Sequence, residues 1–197
     1  MKYILAVFLL CLWVYLLYVT NKVKLNFWHF IVGAAGLFII MMFTVRPLLT
    51  EPLARGVAAI AGLFGSLTDT FSPFFKYGIL FVDSAAGAIT LQIDFECSGI
   101  VEIMAFLSLL VFFRVYSKAE RIIVGIVGVV YIMLANALRL IIICEMIHFM
   151  GTEVYYVAHT IVGRLVFYAL SVMMYFYVFT KPQIVRMKIG KFKYGDH

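Results

Sequence analysis

Charge is what this chain has least of. Of its 197 residues 13% are Asp, Glu, Lys or Arg, against roughly 25% in an ordinary soluble domain, while 65% are hydrophobic and 17% aromatic. A water-soluble globule is excluded. Cysteine is scarce as well: Cys11, Cys97 and Cys144 are far apart with no CxxC pair, which excludes both a disulfide framework and a zinc-finger spacing. HExxH and paired glutamates are missing, which argues against metallo- and carboxylate proteases. Internal repeats, low-complexity tracts and flexible linkers are absent too. The net charge of +6 is no sign of a nucleic-acid partner, because the basic residues sit in short clusters beside apolar runs and form no polar face.

What is present is length without charge. Tyr3–Thr20, Phe27–Val45, Gly99–Tyr116 and Thr160–Thr180 are apolar stretches within the roughly 17–25 residues that cross a bilayer, and Ile122–Met150, at 29 residues, is expected to project its last turns beyond the hydrocarbon or bend them along the interface. The first has one charge before it and no small-residue cleavage site after it, so it reads as a retained span and not a signal peptide. The expected fold is an all-α integral membrane protein of one domain, 1–197, with about five transmembrane helices. Lys22, Lys24, Arg114, Lys118, Arg121, Lys181, Arg186, Lys188, Lys191 and Lys193 all fall at alternate ends of these segments that belong on one side. By the positive-inside bias that side is cytoplasmic, with the N-terminus outside and a basic cytoplasmic tail over 181–197.

Residues 47–96 differ in kind. They hold Pro47, Pro52, Pro73 and half of the acidic residues, and read as an extracytoplasmic insert. Gly56–Leu67 is apolar for only about 12 residues, which predicts an interfacial or re-entrant helix. From Ala88 to Glu96 the period becomes two, with Ile89, Leu91, Ile93 and Phe95 alternating against Thr90, Gln92, Asp94 and Glu96. Tyr77–Val82 is the expected partner strand and Asp83–Gly87 the turn, giving a short β-hairpin that leads into Cys97. An extended peptide is the form a cysteine nucleophile reaches, so this strand, through Gln92, Asp94 and Glu96, is the expected substrate-binding segment.

Ionisable residues in or beside a span are costly and mark functional candidates. Cys97 opens the third segment, Arg139 lies about 26 Å along the fourth from its basic start, and His159 opens the last, so all three reach one depth. A thiol, an imidazole and a fixed cation together suit acyl transfer: attack on a carbonyl, proton movement, and stabilisation of developing negative charge. Arg139 is no base, but it can favour the thiolate or hold an oxyanion. Asn136, three residues before it on the same face, can orient Arg139 or add a hydrogen bond. Glu102 can orient His159 or pair with Arg164. Each residue also has a plainer reading, since lone membrane cysteines are usually inert and interfacial His and Arg usually anchor to headgroups. Cys144 and His148, four residues apart near Glu145 and Glu153, lack the further ligands a metal site needs.

Glu96-Cys97-Ser98-Gly99 at the start of a span, Asn136-Ala137-Leu138-Arg139 late in the next, and His159 followed by Gly163 and Phe167 in the last resemble the exosortase/archaeosortase family of membrane cysteine transpeptidases. The resemblance covers about residues 75–180 and is nearest to the short exosortase-like proteins of Gram-positive bacteria. It implies Cys97, Arg139 and His159 as the catalytic triad; beside them Ser98, Gly99, Asn136 and Glu102 are the expected supporting residues, and no cofactor or metal is expected. It further implies, as substrate, the C-terminal tail of exported membrane-anchored proteins, cleaved through a thioacyl intermediate, and a lipid or glycan amine, or water, as acceptor. Thr160 stands where the family commonly has aspartate, and Arg164 occupies a normally apolar place. The rival reading is a non-enzymatic transporter subunit or polysaccharide-export assembly factor in which Arg139 and His159 hold an anion. A thiol reagent separates the two.

Overall fold

The computed structural model describes residues 2–84, 87–93, 95 and 97–185. Two apolar helices come first, α1 (Lys2–Lys22) and α2 (Asn26–Thr44). They pack on each other through Trp13, whose Nε1 donates to the Val32 carbonyl at 2.9 Å, while most other large side chains of α1 stay exposed. In water that exposure would be prohibitive; in lipid it is the expected outer surface. Residues Arg46–Thr68 then form α3, with a proline in its first turn. This corrects the expected short helix over Gly56–Leu67, which is the latter half of a 23-residue helix. Pro52 is accommodated within it, and the helix is long and apolar enough to cross a membrane by length and composition.

The expected hairpin is a three-stranded antiparallel sheet of order β1-β2-β3, with β1 Phe71–Phe74, β2 Ile79–Ser84 and β3 Gly87–Gln92. The first strand was not expected, since it is only four residues long and contains Pro73, which an edge strand tolerates. The second starts two residues later than predicted, Tyr77 being in a 3₁₀ turn over Phe75–Tyr77. The third ends at Gln92, four residues before the predicted Glu96; beyond Ile93, whose N–H donates to the Gly78 carbonyl at 2.9 Å, the chain turns toward Cys97.

Helix α4 (Ile100–Phe112) stops short of the predicted Tyr116, and α5 (Lys118–Met150) starts before the predicted Ile122. Its start is set by a capping box: Ser117 Oγ accepts from the Glu120 N–H and Glu120 Oε2 accepts from the Ser117 N–H at 2.7 Å. Residues 151–158 are mostly helical. After a 3₁₀ turn at Thr152–Val154, a π turn at Val157–Val162 leads into α6 (Gly163–Tyr175), and helix continues through a second π turn at Phe176–Thr180.

Polar clamps define one basic end. The Arg114 guanidinium donates to Asn26 Oδ1 and Asn21 Oδ1, each at 2.9 Å, tying the α1–α2 turn to the end of α4. Arg121 Nη2 donates to the Phe113 carbonyl, and the Tyr116 hydroxyl to the Val178 carbonyl. Helix α3 packs against the half of α5 far from that end, from Gly56 beside Met133 to Thr70, whose hydroxyl donates to Glu145 Oε1 at 2.6 Å. The sheet covers the same half of α5, where Ala58, Leu80, Val82, Ile143 and Ile147 are all fully buried in one core. A second core nearer the basic end joins Phe106, Ile132 and Phe167.

Candidate functional site

The nucleophile candidate is delivered by a turn between strand and helix. Ser98 Oγ donates to the Phe95 carbonyl at 3.0 Å and accepts from the Ile100 N–H, closing Phe95–Ile100 into a tight bend. Gly99 takes φ of +76°, a left-handed conformation that a Cβ disfavours, and it is the cap from which α4 starts. Cys97 is thereby held, 7% exposed, against the side of α5.

Three side chains converge on Cys97, two on its sulfur and one on its carbonyl. His159 Nε2 lies 3.3 Å from Cys97 Sγ, and Arg139 Nη2 points at the same sulfur from 3.9 Å. Asn136 Nδ2 donates to the Cys97 carbonyl at 2.5 Å. The amide expected to orient Arg139 or add a hydrogen bond is therefore spent on the Cys97 backbone, and it locks the turn to α5. Arg139, buried to 5% exposure, instead lies over the Phe167 ring with its Cζ 5.9 Å from the centroid. His159 sits in the π turn, where the widened ladder re-aims a side chain, and the Tyr155 ring stacks on it at 5.5 Å. Gly163 lets this stretch approach α5: a Cβ there would come within 2.8 Å of Ile143 Cδ1.

A cavity of about 230 Å³ opens beside the sulfur, lined by Cys97, Val101, Glu102, Arg139, His159, Arg164 and Tyr168. The structure brings Cys97, Ser98, Gly99, Glu102, Asn136, Arg139 and His159 into one locality. Arg164 is exposed at the cavity wall, and Glu102 forms no ion pair with it. Gln92 is exposed on β3, and Asp94 and Glu96 lie outside the described residues. Cys144 is fully buried in the hydrophobic core, His148 Nδ1 is 2.6 Å from the Asp83 carbonyl oxygen, and Cys11 faces outward on α1. Tyr155, Phe167 as the partner of Arg139, Tyr168, and Arg46, whose Cζ lies 3.8 Å over the Phe95 ring, were not anticipated in these roles. For Tyr155 a signal existed, its spacing of four from His159 on one helix.

A bundle whose helices are apolar all round, with a thiol, an imidazole and a guanidinium meeting away from its basic end, defines a membrane protein with a polar site held between spans. The transmembrane exosortase (Exosortase_EpsH) family model matches residues 2–177, and the chain belongs to that family. The match begins within α1, so the relationship reaches well before the residue 75 at which the motif resemblance started. No curated protein and no solved structure matches the chain. Membership makes the chain a membrane protein of transpeptidase type.

Proposed function

We propose that this chain is a cysteine transpeptidase or protease that cleaves the C-terminal tail of exported, membrane-anchored proteins. The observation that carries the reading is the meeting of Cys97 Sγ with His159 Nε2 at 3.3 Å under the Arg139 guanidinium. His159 takes the thiol proton as Cys97 Sγ attacks the scissile carbonyl, and the new oxyanion is held by Arg139. Collapse of the tetrahedral adduct breaks the C–N bond, and His159 returns the proton to the departing amine. An amine or water then attacks the thioacyl group, loses a proton to His159 and expels the Cys97 thiolate.

Substrate reaches the sulfur as an added strand. Ile93 directs its N–H toward β2, so by the alternation of an antiparallel ladder Leu91 and Ile89 do the same, and Ala88, Thr90 and Gln92 direct their backbone groups to the open edge. That edge runs directly into the Cys97 turn, and an extended peptide pairing with it gains main-chain hydrogen bonds while its carbonyl approaches the nucleophile.

The site lies on the extracytoplasmic side of the cell membrane, with the N-terminus outside and the C-terminal tail cytoplasmic. Supporting this, Arg121 is tied to the basic end and Asn136 to Cys97, and the stretch of α5 between them rises about 22 Å at ~1.5 Å per residue, most of a hydrocarbon core of ~30 Å. The test is mass spectrometry of surface-protein C-termini in cells carrying the chain or its Cys97→Ala variant. New C-termini made by the former and lost in the latter, at equal membrane yield, are expected; normal processing by the variant refutes the reading.

A further inference from the structure

The cavity beside Cys97 carries two charged groups, Glu102 and Arg164, that the steps proposed above leave without a role. Glu102 from the first turn of α4, Arg139 from α5 and Arg164 from α6 all line it. Among the described residues the one ion pair is Arg55 with Glu51, so neither arginine closes on the Glu102 carboxyl. Glu102 Oε2 and Arg139 Nε are each buried without a hydrogen-bond partner. An unpaired carboxylate in such a place is costly, and the cost is relieved by protonation or by a partner of opposite charge with hydrogens to donate. Water as nucleophile leaves the carboxylate as it is. A primary ammonium supplies both charge and donors, and the cavity has room for one on a short alkyl arm beside the sulfur.

We infer that Glu102 receives the ammonium of the amine that resolves the thioacyl enzyme, and so is the residue that favours the amine over water at this site. The inference rests on the roles proposed above for Cys97 and His159. In the step, the Glu102 carboxylate takes one proton from the ammonium and leaves a neutral amine beside the thioester. The amine nitrogen forms a bond to the acyl carbon, its second proton passes to His159 Nε2, and the C–S bond breaks to release the Cys97 thiolate. The products are an amide, a protonated Glu102 and a thiolate–imidazolium pair, and Glu102 then gives up its proton to solvent.

The experiment uses the full chain in phosphatidylcholine vesicles, acylated by a small activated thioester, so that no natural sorting motif is needed. Products are divided by mass spectrometry into free acid and amide across a range of ethanolamine, and separately with phosphatidylethanolamine in the vesicles. The amide-to-acid ratio is independent of how fast the thioacyl enzyme forms. The unaltered chain should give mostly amide, and Glu102→Gln should need at least tenfold more amine to reach the same ratio, with partial recovery in Glu102→Asp. Dependence on Glu102 in the ethanolamine arm assigns a free amine, and in the lipid arm a headgroup amine. An identical ratio for Glu102→Gln at every amine level, or acid alone from the unaltered chain in both arms, overturns the inference. Equal product from Cys97→Ala removes instead the reading it rests on, and the inference with it.

Discussion

Replacing Asn136 with alanine should slow turnover through the nucleophile's backbone, without touching any group that handles the substrate. The amide is 1% exposed, and its Nδ2 is the donor to the Cys97 carbonyl at 2.5 Å. Removing it leaves a buried carbonyl unsatisfied, at about 2 kcal/mol. The turn has two other supports, the Ser98 hydroxyl and the start of α4, so the chain still folds and inserts. What is lost is registration of the sulfur with His159 and Arg139 on the other two helices. If the whole cost falls on that registration, turnover drops about 30-fold. Asn136→Asp tests the same point with the shape retained: a carboxylate cannot donate to the carbonyl, so it should be as slow or slower. Two readouts suffice in isolated membranes, the rate at which a membrane-permeant maleimide alkylates Cys97 and the fraction of substrate processed. Turnover of Asn136→Ala within twofold of the parent, or full activity in Asn136→Asp, would refute the assignment of this amide as the lock on the turn.

Arg139→Lys should lose about 10²–10³ in turnover, because an ammonium on a flexible stem does not reproduce a planar guanidinium fixed over Phe167; steady-state rates at saturating substrate check this. Gln92→Pro removes an N–H that faces the open edge and leaves the β2–β3 bonds intact, so it should raise KM several-fold with little change in melting temperature, and an unchanged KM would count against strand addition. Gly128→Ala puts a Cβ 2.2 Å from the Phe106 ring between α4 and α5 and should cost about 1–3 kcal/mol. Gly125→Ala, one turn away with its nearest neighbour at 3.4 Å, should be near neutral, and thermal unfolding in detergent separates the pair.

Much of this was open to reading along the chain. Five apolar stretches, the basic clusters and the sudden period of two before Cys97 gave the helices, the shared end and a strand aimed at the nucleophile. The capping box Ser117–Glu120 was equally plain and would have moved the start of α5 to Lys118. The length of α3 was harder, because Pro52 and the charges Glu51 and Arg55 interrupt its hydropathy, although these two charges pair four residues apart along the helix. Strand β1, four residues with a proline, has no local pattern strong enough to stand alone and exists because β2 pairs with it.

At the site the division is sharper. Composition and helical rise settle which side chains are present and how deep each lies, since both depend only on neighbours in sequence, and in that way Cys97, Arg139 and His159 were brought to one level. Which of them touch is a matter of rotation about separate helix axes, decided by packing between residues dozens of positions apart. Asn136 turned to the Cys97 carbonyl, not to Arg139, because the turn, with Gly99 in a left-handed conformation, lies against α5. The π turn swung His159 onto the sulfur, and Arg139 came to rest over Phe167. No periodicity encodes such choices, because each is the lowest-energy way for three helices to bury one another's polar groups, and that exists only when all three are in place.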